Sequence, residues 1–243
     1  MANPVPVSSL DRTARISGLM FLLSLVVPTL GWTQALAKLV VPGNVVETGR
    51  NVAAHPLLFR AGILGEILTS IVVLVLASAL YRLLESVDRP LASMALHLKL
   101  VEGGLWAVIA LGHVAALRAV TEQGASAVLS RGEMGAMVGL LLVSHMPLTA
   151  VPGVFLGLSL VVFLSLLFRS GYVPRGLAAF GVLSYALVFL YDSLLIASPS
   201  CAANVAVQVV GWGPSVLFEL VAGPWLLLRG VSAPRASPPE VTA

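Results

Sequence analysis

Apolar positions run along this chain in long, nearly unbroken blocks, and most charged residues stand between the blocks. Six blocks are long enough to cross a bilayer, because a helical span needs about 20 apolar residues. The pattern therefore predicts an all-α fold, an integral membrane helical bundle of six transmembrane helices. The predicted spans are residues 16–37, 57–84, 90–117, 148–168, 173–197 and 205–228.

The fourth apolar block, residues 134–168, is too long for one straight span and contains Pro147 and Pro152. Proline removes a backbone donor and disfavours helix in the residue before it. We therefore predict a short re-entrant or amphipathic helix before Pro147, followed by the fourth span itself.

The first apolar block, residues 16–37, admits two interpretations. It follows Arg12 and Arg15 and ends in an Ala-Leu-Ala stretch that resembles a secretory cleavage site. Its apolar core is long for a signal, however, and Trp32 after Gly31 is typical of an interfacial anchor. The sequence leaves open whether this segment is retained as a span or cleaved.

Composition agrees with a chain that lies in lipid. Of 243 residues, 58% are hydrophobic and 10% are charged, which would leave a soluble domain of this size with an apolar surface. Residues 1–231 are predicted to form a single polytopic domain, and residues 232–243, rich in Pro, Ser and Ala, a disordered cytoplasmic tail. One cysteine, Cys201, excludes an internal disulfide.

The positive charges predict an orientation rather than a nucleic-acid partner, because they stand at the ends of the apolar blocks. Placing the N-terminus inside puts eight Lys and Arg residues in the cytoplasm and four outside. We therefore expect a protein of a bacterial plasma membrane with both termini in the cytoplasm. Its partner is the lipid bilayer; the sequence does not decide its oligomeric state or further subunits.

Ionisable side chains inside the spans are the candidates for function, because a charge near the bilayer centre is costly. Glu66, Glu102 and Glu219 lie deep in their spans, and Arg60 lies nearer an end. Apolar surroundings favour the neutral form of a carboxyl group. These four residues are candidates for ligand binding or proton-linked transport. Lys99 and Glu102, three residues apart, also fit an internal ion pair.

A second set of candidates is predicted near the outer boundary. His113, His145 and Asp192 each lie within one or two helical turns of it. Imidazole and carboxylate groups suit zinc, iron or manganese, so the three are metal-ligand candidates. No spacing makes the site specific, since there is no HExxH motif, and hydrogen bonds to backbone or water explain them equally well. Neither a metal nor another cofactor is assigned.

Three functions stay open. The protein binds or transports a small or lipidic ligand through its buried carboxylates, or it is a membrane enzyme with a metal at an outer-face His/Asp site. The third alternative is an accessory subunit whose polar groups only hold helices together. The first is slightly favoured, and the sequence does not decide whether the chain is an enzyme.

Several short motifs stand in a fixed order along the chain, among them residues 58–63, Arg169-Ser-Gly-Tyr-x-Pro and residues 225–230. Together they resemble the bacterial multi-pass membrane family known as domain of unknown function 4386. The most specific is Arg169-Ser-Gly-Tyr-x-Pro between spans four and five, where we expect a tight turn with Tyr172 in the headgroup layer. His145 stands where the family often has a histidine, whereas Ser159 replaces a second one. The resemblance implies a multi-pass fold and no activity. The other motifs lie at residues 15–19, 58–63, 79–84, 155–158, 219 and 225–230.

Overall fold

A computed structural model describes residues 7–121 and 131–231, and within these ranges the regular elements are all helical. Six helices are long and apolar enough to span a membrane, which confirms the predicted fold class. The helices are α1 Val7–Gln34, α2 Val45–Ala54, α3 Pro56–Leu84, α4 Arg89–Thr121, α5 Arg131–Val143, α6 His145–Ser170, α7 Arg175–Ala197, α8 Pro199–Ala202 and α9 Val205–Arg229.

The six long helices form a closed ring in chain order. Each packs against its neighbours, α1 on α3, α3 on α4, α4 on α6, α6 on α7 and α7 on α9, and α9 returns to α1. Short connections between antiparallel helices favour this order. The interior of the ring is where the buried side chains of six spans converge.

The two ends of the ring differ. The chain ends meet at one of them, where the backbone N–H of Val231 donates to Asp11 at 3.2 Å. We call this the terminal end. At the opposite, cap end, α2 packs on α5 so closely that Gly49 lies directly against the backbone of Gly135. A side chain at Gly49 would overlap that backbone, so this crossing depends on glycine.

The fourth apolar block divides earlier than its prolines suggested. A short helix precedes the span as predicted, but α5 ends at Val143 and α6 already begins at His145. Pro147 is then the third residue of α6. Proline is tolerated in the first helical turn because the N–H it lacks has no partner there. The boundary therefore falls at Ser144.

The turn between α6 and α7 follows the Arg169 motif. Gly171 ends α6 with φ 69°, a left-handed conformation that glycine adopts without strain, and Pro174 precedes α7. The Arg169 guanidinium pairs with Asp88 of the neighbouring connection at 3.1 Å. The expected position of Tyr172 is wrong, since its side chain is buried in the core.

The first apolar block becomes α1 followed by a short 3₁₀ turn at Leu36–Leu39. In the ring α1 lies between α9 and α3, so a chain cleaved after this block would lack one side of the bundle. Retention of the segment stays a prediction. The predicted tail, residues 232–243, lies outside the described residues.

Candidate metal centre

Three spans bring Glu66, His113 and His145 together inside the ring, towards its cap end. Glu66 is the eleventh residue of α3, His113 lies two turns before the end of α4, and His145 is the first residue of α6. Each side chain is at least nine-tenths buried. We call these three residues the outer cluster, and no two of them lie on the same helix.

The ligand atoms of the outer cluster are close enough to share one ion. One atom from each residue can be chosen so that all lie within 4.8 Å of one another. In tetrahedral geometry, two atoms that each bind zinc at about 2.1 Å lie about 3.4 Å from each other. Small side-chain rotations would bring the ligand atoms to that separation. His113 Nδ1 lies 2.9 Å from Glu66 Oε2, and His145 Nδ1 lies 3.5 Å from Oε1.

Each member of the outer cluster also has a buried polar atom without a hydrogen-bond partner in the described structure. The atoms are Glu66 Oε1, His113 Nε2 and His145 Nδ1. An ionised carboxylate only accepts, so Nδ1 of His113 carries the proton in its contact with Glu66, which leaves a lone pair on Nε2. Buried polar atoms are normally paired, so these three atoms are candidates to share one partner.

Aromatic rings fix the orientation of both imidazoles. The Trp32 indole stacks on His145, with centroids 4.3 Å apart and planes inclined by 7°. Phe59 meets the His113 ring edge-on at 5.5 Å. Such packing limits the rotation of a ligand side chain, so the donors are held before any ion arrives.

A small cavity of about 20 Å³ adjoins Glu66 and His145, with Trp32, Trp106 and Thr69 among the other residues that line it. This volume is close to what one water molecule needs. The cluster therefore has three protein ligands on one side and room for a small fourth ligand on another.

The other predicted site residues lie elsewhere. The Arg60 side chain is exposed, six residues before Glu66 and on another face of α3. The Asp192 carboxylate is buried against Gly153 of α6, within hydrogen-bonding range of the Trp212 side chain. Asp192 is therefore not among the groups that converge on the two histidines, and Glu66 stands in the place we expected for it.

Glu102 and Glu219 belong to a second group, in the middle of the ring. Lys99 Nζ lies 2.7 Å from Glu102 Oε2, which confirms the expected ion pair. Tyr185 donates its hydroxyl proton to Glu219 Oε1. We call Lys99, Glu102, Tyr185 and Glu219 the inner cluster. Along α4, Glu102 and His113 are about 16 Å apart, so the two clusters are separate.

Sequence reasoning missed Tyr185 and the role of Trp32. Tyr185 lies seven residues before Asp192, two turns along the same face of α7, and this spacing could have placed it inside the bundle. Trp32 after Gly31 is typical of an interfacial anchor, and nothing in the sequence links it to His145. That contact exists only because α1 and α6 meet around the cavity.

Six spans closed into a ring around buried ionisable groups define a multi-pass helical membrane protein. A family model described as Domain of unknown function (DUF4386) matches residues 16–230, and the chain belongs to that family. This confirms the resemblance found in the motifs. No curated protein and no solved structure matches the chain.

Proposed function

We propose that this protein is a metal-dependent membrane enzyme whose outer cluster binds one divalent transition metal. The observation that carries the proposal is the convergence of Glu66, His113 and His145, each of which has a buried polar atom without a hydrogen-bond partner among the described residues. A divalent metal ion accepts lone pairs from two imidazoles and a carboxylate at once. Zinc and iron(II) both suit two histidines and one carboxylate.

The number of protein ligands favours catalysis over a structural role. Structural zinc sites take four protein ligands, whereas catalytic sites take three and leave a position for water or substrate. The cavity beside Glu66 and His145 offers space for that fourth ligand. A bound metal would lower the pKa of its water and supply a nucleophile at neutral pH.

The walls of the cavity support a substrate that is soluble in the membrane. Trp32, Trp106, Leu36 and Pro28 present mostly apolar surface, and Thr69 adds a hydroxyl group. The chemistry proposed is therefore hydrolysis of a lipid-borne ester or amide. The alternative of a ligand carrier using Glu66, Glu102, Glu219 and Arg60 finds less support, since among the described residues Glu102 and Glu219 belong to another cluster than Glu66 and the Arg60 side chain is exposed.

Metal content tests the binding step. The protein is purified in lipid nanodiscs, loaded with zinc, dialysed and analysed by mass spectrometry. We expect about one zinc per chain in the wild type and almost none in His113→Ala or His145→Ala. Retention of stoichiometric zinc by both variants, or its absence from the wild type, would overturn the proposal.

Matched variants separate loss of a ligand from loss of a charge. His97 is an exposed histidine on α4, and Asp192 is a buried carboxylate outside the cluster. His97→Ala and Asp192→Asn should therefore keep the metal. If Asp192→Asn lost it while Glu66→Gln kept it, the ligand set predicted from the sequence would replace the one proposed here.

Cobalt substitution tests whether the fourth position is open. The visible spectrum of Co²⁺ responds to coordination number, so azide should change it in a site with three protein ligands. Release of a chromogenic alcohol from a nitrophenyl ester dissolved in the bilayer should depend on the same metal. A spectrum that ignores azide, with no ester hydrolysis, would identify a closed structural site.

The proposal includes an orientation with the terminal end in the cytoplasm of a bacterium. Its support is the excess of Lys and Arg at that end, eight against four. Cysteines introduced at Ala53 and Ser86, both exposed positions, report on the two ends in a chain without Cys201. A membrane-impermeant maleimide should label Ala53→Cys in intact cells and Ser86→Cys only after lysis; the reverse order would invert the topology.

A further inference from the structure

The inner cluster holds one fixed cation and two carboxyl groups in the centre of the ring. Lys99 is 0% exposed, Glu102 1% and Glu219 8%. All three lie more than two turns from either end of their helices. Lys99 and Glu102 are in ion-pair contact, and both lie within electrostatic range of Glu219. With both carboxyl groups ionised, the cluster would carry one uncompensated negative charge.

Hydroxyl groups surround the Glu219 carboxyl group. Tyr185 donates to its Oε1. The Ser24 hydroxyl is also within hydrogen-bonding range of the carboxyl group. Lys99, the cation of this cluster, contacts Glu102 rather than Glu219. A buried carboxyl group without a cation in contact favours its neutral form.

Charge balance leads to the same assignment. An unpaired charge in the low-dielectric centre of a membrane protein is expensive, and a group in that position is paired or takes up a proton. Glu102 is paired with Lys99, so the second carboxyl group must be neutral. We propose that the inner cluster is a proton-binding site in which Glu219 reversibly holds one proton, independent of the metal at the outer cluster.

No other ionisable group in the middle of the ring offers a competing explanation among the described residues. α4 contributes Lys99 and Glu102, α7 Tyr185 and α9 Glu219, while α1 faces them with the Ser24 hydroxyl. The sole carboxylate of α3 is Glu66, which belongs to the outer cluster, and α6 carries ionisable side chains only at its two ends. Glu219 is the one carboxyl group here without a cation of its own.

Release of this proton would change the charge in the centre of the bundle. Glu219 would become a carboxylate, the proton would pass to water, and the cluster would carry a net charge of minus one. Return of the proton, or entry of another monovalent cation, restores neutrality. The site therefore has the chemistry of a proton-coupling centre.

Infrared difference spectroscopy counts the protons directly. A protonated carboxyl group has a C=O stretching band, separate from that of a carboxylate, which shifts in heavy water when the proton exchanges. Wild-type and variant proteins are compared in nanodiscs without added metal. We expect Glu219→Gln to remove one such band, whose area serves as the unit for the other variants.

The other variants test the charge balance. In Glu102→Gln, Lys99 should pair with Glu219, so one unit of band area is lost although Glu219 is unchanged. Lys99→Met removes the cation, so both acids should be protonated and one unit is gained. Lys99→Met with Glu102→Gln should restore the wild-type area. Tyr185→Phe should keep the area and shift the band, because one donor to the carbonyl is lost.

Two results would overturn the proposal. One is a Glu219→Gln difference spectrum without a lost band, and the other is a Glu102→Gln variant that keeps the full band. Glu66→Gln, in the outer cluster, is the matched control and should leave the band of Glu219 in place. If Lys99→Met does not fold, Lys99→Gln makes the same test.

Discussion

The two buried clusters use similar residues under opposite charge conditions. The inner cluster contains its own cation, Lys99, in contact with Glu102. The outer cluster has a carboxylate and two imidazoles, and none of these groups carries an obligatory positive charge. In the inner cluster the second carboxyl group, Glu219, accepts a hydrogen bond from the Tyr185 hydroxyl.

The difference indicates what each cluster lacks. Under the two proposals, a metal ion completes the outer cluster and a proton completes the inner one. Both follow from the same requirement, that buried charge in a membrane protein must be balanced. The two proposals can therefore be tested independently, by substitutions that each remove one charged group from one cluster.

Removing the inner cation should have the largest effect on stability. Breaking a buried ion pair costs about 3 kcal/mol or more. We expect Lys99→Met to lower the free energy of unfolding by about that amount, and Lys99→Met with Glu102→Gln to recover most of it. Chemical unfolding in bicelles measures both. Equal stability of the single and double variants would mean that Lys99 does not compensate Glu102.

Metal binding should stabilise the bundle only through the outer cluster. A ligand present at one hundred times its dissociation constant adds about 2.7 kcal/mol to the folded state. Zinc should therefore raise the melting temperature of the wild type and of Glu219→Gln, but not that of His113→Ala. Lowering the pH should reduce the shift, because protons compete with the metal for the imidazoles. An equal zinc shift in His113→Ala would place the metal elsewhere.

The lengths of the apolar blocks predicted the six-helix bundle but not which buried residues meet inside it. Six spans follow from length and hydropathy alone, and the Lys99 and Glu102 pair follows from helical spacing. Asp192 was grouped with His113 and His145 because its depth in the membrane is similar. Depth fixes only one coordinate, and rotation about the helix axis, which packing determines, points Asp192 at Gly153 instead.

Glu66 was assigned to the candidates for ligand binding or proton-linked transport rather than to the metal-ligand set. Judged by depth it lies one or two turns below the histidines, yet its Oε2 lies 2.9 Å from His113 Nδ1. The start of α6 matters as much, because His145 reaches the cluster only when the helix begins at that residue. Helix ends are among the least certain features of a sequence-based prediction.

A change in the packing of α1 on α3 should affect the outer cluster but not the inner one. Of the effects predicted, this one should be the smallest. A Cβ added at Gly65 would lie 2.9 Å from the Gly31 Cα, so α1 must move away from α3. Trp32, next to Gly31, would then shift from the His145 ring. We expect Gly65→Ala to cost about 1 to 3 kcal/mol and to weaken zinc binding about tenfold. Competition with a fluorescent chelator measures the affinity.

Gly18→Ala is the matched change where α1 packs on α9 instead of on α3. Its Cβ would lie 2.5 Å from the Gly223 carbonyl oxygen, so it separates α1 from α9 near Ser24. It should destabilise the protein and shift the Glu219 band while the zinc affinity stays unchanged. Gly104→Ala, with nothing within 4 Å of the added atom, controls for the substitution itself. Equal loss of zinc affinity in Gly18→Ala and Gly65→Ala would show that the two clusters respond as one unit.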